Sequence, residues 1–182
     1  MILSKEEANF FFELYYNLLL FTNRQRRIIP RVFTTSGLRK LPSEQLKSIR
    51  RVLFDQSHLI DQFISKNPAN FSDFKLEIIY SWKRAVPGRF FMFKEMETVT
   101  IFLSNLRPSR AYGVVGLAKE FCMIFPEPLP VYLGTVLLPF LNKIITDGIF
   151  SRYRLEFGTG FQHNLRKSYD QAIEETGIIY SL

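Results

Sequence analysis

Apolar residues crowd the first turns of the chain and then recur at helical spacing. Ser4-Lys5-Glu6-Glu7 has the Ser-x-x-Glu form of a capping box, in which serine and glutamate each satisfy an orphan backbone donor at a helix start. The run Ala8–Phe21 predicts a helix ending near Asn23 or Arg26, with basic groups favourably placed at its negative end. Pro30 and Thr34-Thr35-Ser36-Gly37 break the pattern. A second helix is predicted after Pro42 and Ser43, with Leu46, Ile49 and Leu53 on one face and Lys47, Arg50 and Arg51 on another; it runs to about Lys66 and stops at Asn67-Pro68. A third covers Ser72–Ala85 and ends before Pro87-Gly88.

From Arg89 the period changes to two. Strands are predicted at Arg89–Glu95, Thr98–Leu103 and Ala111–Leu117, with a turn at Arg107-Pro108-Ser109. A short helix and a proline-rich loop follow over Ala118–Pro130. Val131–Leu138 reads as a strand ended by Pro139, a residue confined to strand ends, edges and bulges. Lys143–Thr146, Asp147-Gly148 and Ile149–Phe157 have the form of a two-residue hairpin, because such a turn needs positive φ. In its outgoing strand Tyr153, Leu155 and Phe157 are expected to face the core, and Arg152, Arg154 and Glu156 solvent. Gly158-Thr159-Gly160 leads into a last helix, Phe161–Thr176, with Gly177 as its stop. Helices, then a largely antiparallel sheet of five or six strands, then one C-terminal helix define an α+β fold. The 182 residues are expected to form a single domain, residues 1–86 its helical part and 87–182 its sheet and last helix.

Composition excludes a disordered or fibrous chain, with 47% apolar and 23% charged residues. Cys122 is the one cysteine, so an internal disulfide and a zinc cluster are out, and a reducing, cytoplasmic compartment is expected. Charge changes the picture most. The net +7 is concentrated in residues 24–51, where nine basic groups face one acid, Glu44; that segment carries +8 and the remainder −1. Export and membrane spanning are not expected. Lys5 is offset by Glu6 and Glu7, and the 14-residue apolar run holds Glu13 and Asn17.

The segments Tyr80-Ser81-Trp82-Lys83, Leu138-Pro139-Phe140, Ile145-Thr146-Asp147-Gly148 and Phe157-Gly158-Thr159-Gly160-Phe161, with the ending Gly177-Ile178-Ile179-Tyr180-Ser181-Leu182, resemble a group of uncharacterised bacterial proteins that share this arrangement. The resemblance covers Ser72 to Leu182. It implies a bacterial-type intracellular domain and carries no activity.

Two clusters could hold an anion. Arg24, Arg26 and Arg27 at the end of the first helix, with Lys47, Arg50 and Arg51 on the second, would neutralise several phosphates of a nucleic acid. The turn Gly158-Thr159-Gly160 exposes backbone N–H groups at a helix start, with His163, Arg166 and Lys167 nearby. That helix is charged against its dipole, since Asp170, Glu174 and Glu175 lie toward its end. A solvated basic face and a plain strand-to-helix turn are the bland readings of the two clusters. Catalytic groups are few: His58 and His163 fall in different helices, and Cys122 sits among apolar neighbours that suggest a buried thiol. The expectation is a non-catalytic module without cofactor or metal, binding a polyanion, nucleic acid first. The alternative is a protein-interaction or self-assembling module using Phe10, Phe11, Phe12, Tyr15 and Tyr16; a phosphate-handling enzyme comes third.

Overall fold

The capping box at Ser4 forms as the sequence requires. The Ser4 hydroxyl accepts the Glu7 amide at 3.1 Å, and the Glu7 carboxylate accepts the Ser4 amide at 2.9 Å. It opens α1 (Lys5–Arg26), the central helix of one of two compact units in this computed structural model, which describes residues 1–155 and 157–182. The expected outward position of Glu156 lies outside the described residues.

The helical unit is Ser4–Ala85. Around α1 pack α2 (Thr35–Arg39), α3 (Ser43–Asp55), α4 (His58–Lys66) and α5 (Asp73–Ser81), followed by a 3-10 turn at Trp82–Arg84. Phe11 and Tyr15 stack at 5.2 Å, and both meet the edge of Trp82 at 5.7 Å, three fully buried rings. The aromatic start of α1 is thus largely spent inside its own unit.

One expectation fails here for an identifiable reason, and one short helix is new. The stretch Ser43–Lys66 is two helices, because the stripe Leu46, Ile49, Leu53 would next fall on the polar Gln56 and Ser57; a break lets Leu59, Ile60 and Phe63 turn inward. The break at Thr34–Gly37 separates α1 from α3 as expected, and it also holds the start of the short helix α2. The Thr34 hydroxyl accepts the Gly37 amide at 3.0 Å, and Leu38, fully buried, anchors the single turn.

The second unit comprises Met1–Leu3 and Val86–Leu182. Its strands are β1 (Val86–Glu95), β2 (Thr100–Ser104), β3 (Ala111–Val115), β4 (Val131–Phe140), β5 (Lys143–Thr146), β6 (Ser151–Arg152) and β7 (Ile178–Ile179). The pairings run β1-β2-β3-β5-β4, and β4 pairs back onto β1, so five strands close a ring. The order β4-β1-β2-β3 is a Greek key, and β5 completes the barrel parallel to β3 and antiparallel to β4. Phe90, Met92, Phe102, Tyr112, Val114, Leu133, Leu137 and Ile144 fill its interior, joined by Phe121 and Phe125 from and just after α6 (Phe121–Ile124). The amino terminus adds a bridge: the Leu3 amide donates to the Gly116 carbonyl at 2.9 Å. Helix α7 (Thr159–Thr176) leads to β7, which pairs parallel to β3.

Asp147-Gly148 is not a hairpin turn. The hairpin lies at Leu141-Asn142, whose φ of 47° and 61° give the primed two-residue turn that joins antiparallel strands. After β5 the chain keeps its direction along β4: Leu137 pairs Thr146 and Gly134 pairs Ser151. Two β4 residues therefore face four, 147 to 150, and the surplus forms a bulge with Gly148 at φ 76°. β4 continues through Pro139 to Phe140, past its last β1 pair at Leu137, where a proline costs the β1 ladder nothing.

Candidate nucleic-acid interface

The basic groups of the helical unit are set by how α1 ends. Asn23, buried, pairs both ways with Ile29, its amide oxygen accepting the Ile29 N–H at 2.7 Å and its NH₂ donating to the Ile29 carbonyl at 3.0 Å. This clamp reverses the chain after Arg27, which takes φ 50°. Arg24 and Arg26 are two residues apart on α1, about 200° around it. They take different partners: Arg24 donates to the Phe33 carbonyl, and Arg26 meets His58 Nε2 at 2.8 Å. The end of α1 therefore does not present its arginines on one face. On α3, Lys47, Arg50 and Arg51 do share a flank, within about 100° of arc, beside the buried Leu46, Ile49 and Leu53. Lys47 pairs with Glu44 at 2.6 Å, and Arg39 lies 4.8 Å over the Tyr16 ring.

Neutralisation is slight. Among the described residues no carboxylate pairs with Arg24, Arg26, Arg27, Arg31, Arg39, Lys40 or Arg51, and all seven are exposed. Fourteen basic against eight acidic residues give the helical unit +6, against ten and nine, or +1, in the barrel unit. Away from the cluster, Lys83 bonds Asp61 at 2.8 Å, and this contact holds its pKa above the ordinary lysine value.

The barrel unit carries a second polar surface. Gly158 caps α7 with φ −65°, and an added Cβ at Gly158 or Gly160 would meet nothing within 4 Å, so neither glycine is demanded by space. No acidic residue occupies the first turn of α7. Thr159, His163 and Arg166 line an open groove of about 620 Å³ with Lys94, Tyr169 and Asp170; Lys167 is exposed but is not part of its lining. Tyr153 and Phe157 do not enter the core as expected. They are half-buried and line a neighbouring groove of about 470 Å³ with Tyr132, Arg152 and Arg154, while Leu155 is exposed.

Sequence reasoning missed the outward row of β1. Phe90 and Met92 point into the barrel; Arg89 and Phe91 therefore point out. Phe91 stacks on Tyr132 at 4.6 Å, Tyr132 meets Tyr153 at 5.2 Å, and the Arg89 guanidinium lies 5.0 Å over the Tyr153 ring. Its contact with the Tyr132 hydroxyl, then the proximity of Tyr153, raises the Arg89 pKa above the usual arginine value. No alternation marked this side in the sequence, since Phe90, Phe91, Met92 and Phe93 are all apolar.

The catalytic alternatives gain little. Cys122 is exposed, contrary to expectation, because α6 is a single turn that buries Phe121 and turns its neighbours out; its sulfur faces the Glu120 carboxylate at 3.9 Å. Asp147 is buried and accepts hydrogen bonds from the Thr135 hydroxyl and the Ile149 amide, a structural use. Among the described residues no cluster of His, Cys, Asp and Glu could hold a metal, and no helix is long and apolar enough to cross a membrane.

The second unit is thus a five-stranded Greek-key barrel with a short helix between β3 and β4, in a chain whose other unit is helical and basic. No family model, curated protein or solved structure matches the chain.

Proposed function

We propose that the protein is a non-catalytic module that binds a polyanion, nucleic acid above all, through the basic segment 24–51. One observation carries this reading: nine basic groups in 28 residues, seven of them exposed without a carboxylate partner among the described residues. Charge so concentrated raises the local phosphate concentration and releases counterions on contact. Arg27, Arg31, Arg39, Lys40 and Arg51 supply the exposed positive charge, with Lys47 and Arg50 on the α3 flank and Arg24 and Arg26 to either side of α1. The start of α7 serves as a second anion contact, through the N–H groups of Gly158, Thr159 and Gly160, the His163 ring and the cations Arg166 and Lys167. The barrel architecture is compatible with this role but carries no function on its own.

Salt-titrated binding to nucleic acid tests the proposal. Five phosphate contacts give a slope of about −3.5 in log K against log salt on a single strand, roughly a hundredfold loss between about 50 and 200 mM. Changing Arg27 and Arg51 to Ala lowers the slope by about two phosphate equivalents and weakens binding to all sequences alike. No binding at low salt, or an unchanged slope in the variant, overturns the assignment.

A further inference from the structure

The solvent side of an antiparallel barrel strand is ordinarily polar. On this barrel it carries a connected set of rings. Phe91, Tyr132 and Tyr153 follow one another across β1, β4 and the residue after β6. Phe91 also meets Phe157 at 5.8 Å and Phe161 at 5.6 Å, and the last two stack at 4.7 Å with planes 17° apart. Phe91 and Tyr132 are nearly covered, whereas Phe161 is 42% exposed, and Tyr153 and Phe157 are half-buried. The inner rings therefore form a covered floor, and Phe161, Tyr153 and Phe157 are the rings that solvent reaches.

Cations surround the rings. Arg89 lies over Tyr153; Arg154 is exposed in the same groove; Arg152 sits over Phe125 and pairs with Glu127. The groove of about 470 Å³ falls in the size range of sites for small planar groups. Flat rings beside guanidinium groups match an unpaired base and its phosphate: the base stacks on the ring whatever its identity, and the cation tracks the backbone. A duplex keeps its base faces within the stack and cannot use such a floor.

We infer that this outer face of the barrel binds single-stranded nucleic acid, with bases stacking on Tyr153, Phe157 and Phe161 and phosphates held by Arg154 and Arg89. This surface belongs to the barrel unit and the cations of 24–51 to the helical unit, and its ligand class rests on the nucleic-acid reading above.

The test uses the full chain with three probes: a fluorescent oligothymidylate of about a dozen nucleotides, its duplex, and heparin, a polyanion without bases. Phe161→Ala and Tyr153→Ala are expected to weaken the single strand by about 5- to 100-fold each, leave heparin retention unchanged, and recover on Phe161→Trp. Ultraviolet cross-linking of the bound oligothymidylate should mark Tyr153, Phe157 or Phe161. Unchanged single-strand binding in both alanine variants overturns the inference, as does a parallel fall in heparin retention. Cross-links confined to 24–51, or heparin binding with no oligothymidylate binding, overturn it while leaving the polyanion role of the helical unit standing. Loss of heparin and oligothymidylate binding together in the wild type removes both.

Discussion

Replacing Asp147 separates the bulge found in the barrel from the hairpin turn that Asp-Gly suggests. A hairpin-turn aspartate is solvent-exposed, and its removal costs within about 0.5 kcal/mol. Asp147 is instead 2% exposed, and its Oδ1 accepts the Thr135 hydroxyl at 3.0 Å and the Ile149 amide at 3.2 Å. In Asp147→Ala the Thr135 hydroxyl keeps the Ile149 carbonyl at 3.3 Å, but the Ile149 N–H, in a residue 8% exposed, loses this acceptor. Hydrogen bonds to a charged acceptor contribute about 1.5–3 kcal/mol, and an orphaned buried donor costs about 1–3 kcal/mol. Relief of carboxylate burial offsets part of that, so the net loss is about 2–4 kcal/mol. Asp147→Asn keeps an acceptor oxygen in the Oδ1 place and should lose less than half as much. With a urea m-value of about 2 kcal/mol/M, the alanine variant shifts its midpoint down by about 1–2 M at constant m. Far-UV circular dichroism through a urea titration reads it. A shift below about 0.3 M for alanine, or asparagine as damaging as alanine, would refute the buried-acceptor account.

Two further substitutions test backbone and capping. Gly148→Ala should cost about 1–2 kcal/mol, because φ is 76° and the new Cβ would lie 3.0 Å from the Leu117 side chain, whereas Gly158→Ala, at φ −65° with open space, should be near neutral; equal urea midpoints for the two contradict this. Ser4→Ala removes the acceptor of the Glu7 amide and should lower helical-unit stability by about 1 kcal/mol, read as a loss of Trp82 fluorescence at lower urea; an unshifted transition shows that the capping box contributes nothing.

The α+β class, the first helix with its cap, the switch from helical to two-residue period near residue 86 and the last helix were legible, since each rests on local pattern. The barrel closure was not. It depends on β4 pairing with β1 across some forty residues and on β3 meeting β5 in parallel, and alternation along one strand says nothing about its neighbours. Asp147-Gly148 misled because Gly supplies positive φ to a bulge as cheaply as to a hairpin, while Leu141-Asn142 carries the turn with a leucine that propensity disfavours. Of the candidate site, charge concentration was visible in the chain, but its direction was not: Arg24 and Arg26 diverge because they are two residues apart on a helix. The aromatic face escaped notice because outward phenylalanines on β1 look like core residues until the inward set, Phe90 and Met92, is known.

Net charge is divided unevenly between the two units, and that division has a measurable consequence. The helical unit holds +6, seals Trp82, Phe11 and Tyr15 in its core and exposes Phe33, Phe74 and Tyr80; the barrel unit holds +1 and carries the linked rings Tyr153, Phe157 and Phe161. Counterion release falls steeply with salt, whereas stacking of a base on a ring releases few ions. Binding through residues 24–51 should therefore fade with salt equally for heparin and for nucleic acid. A residue of affinity that survives high salt and prefers single strands belongs to the barrel face if it disappears in Phe161→Ala, and to the exposed rings of the helical unit, Phe33 first, if it does not. The salt axis thus distinguishes the two contacts within one intact chain, without dissecting it.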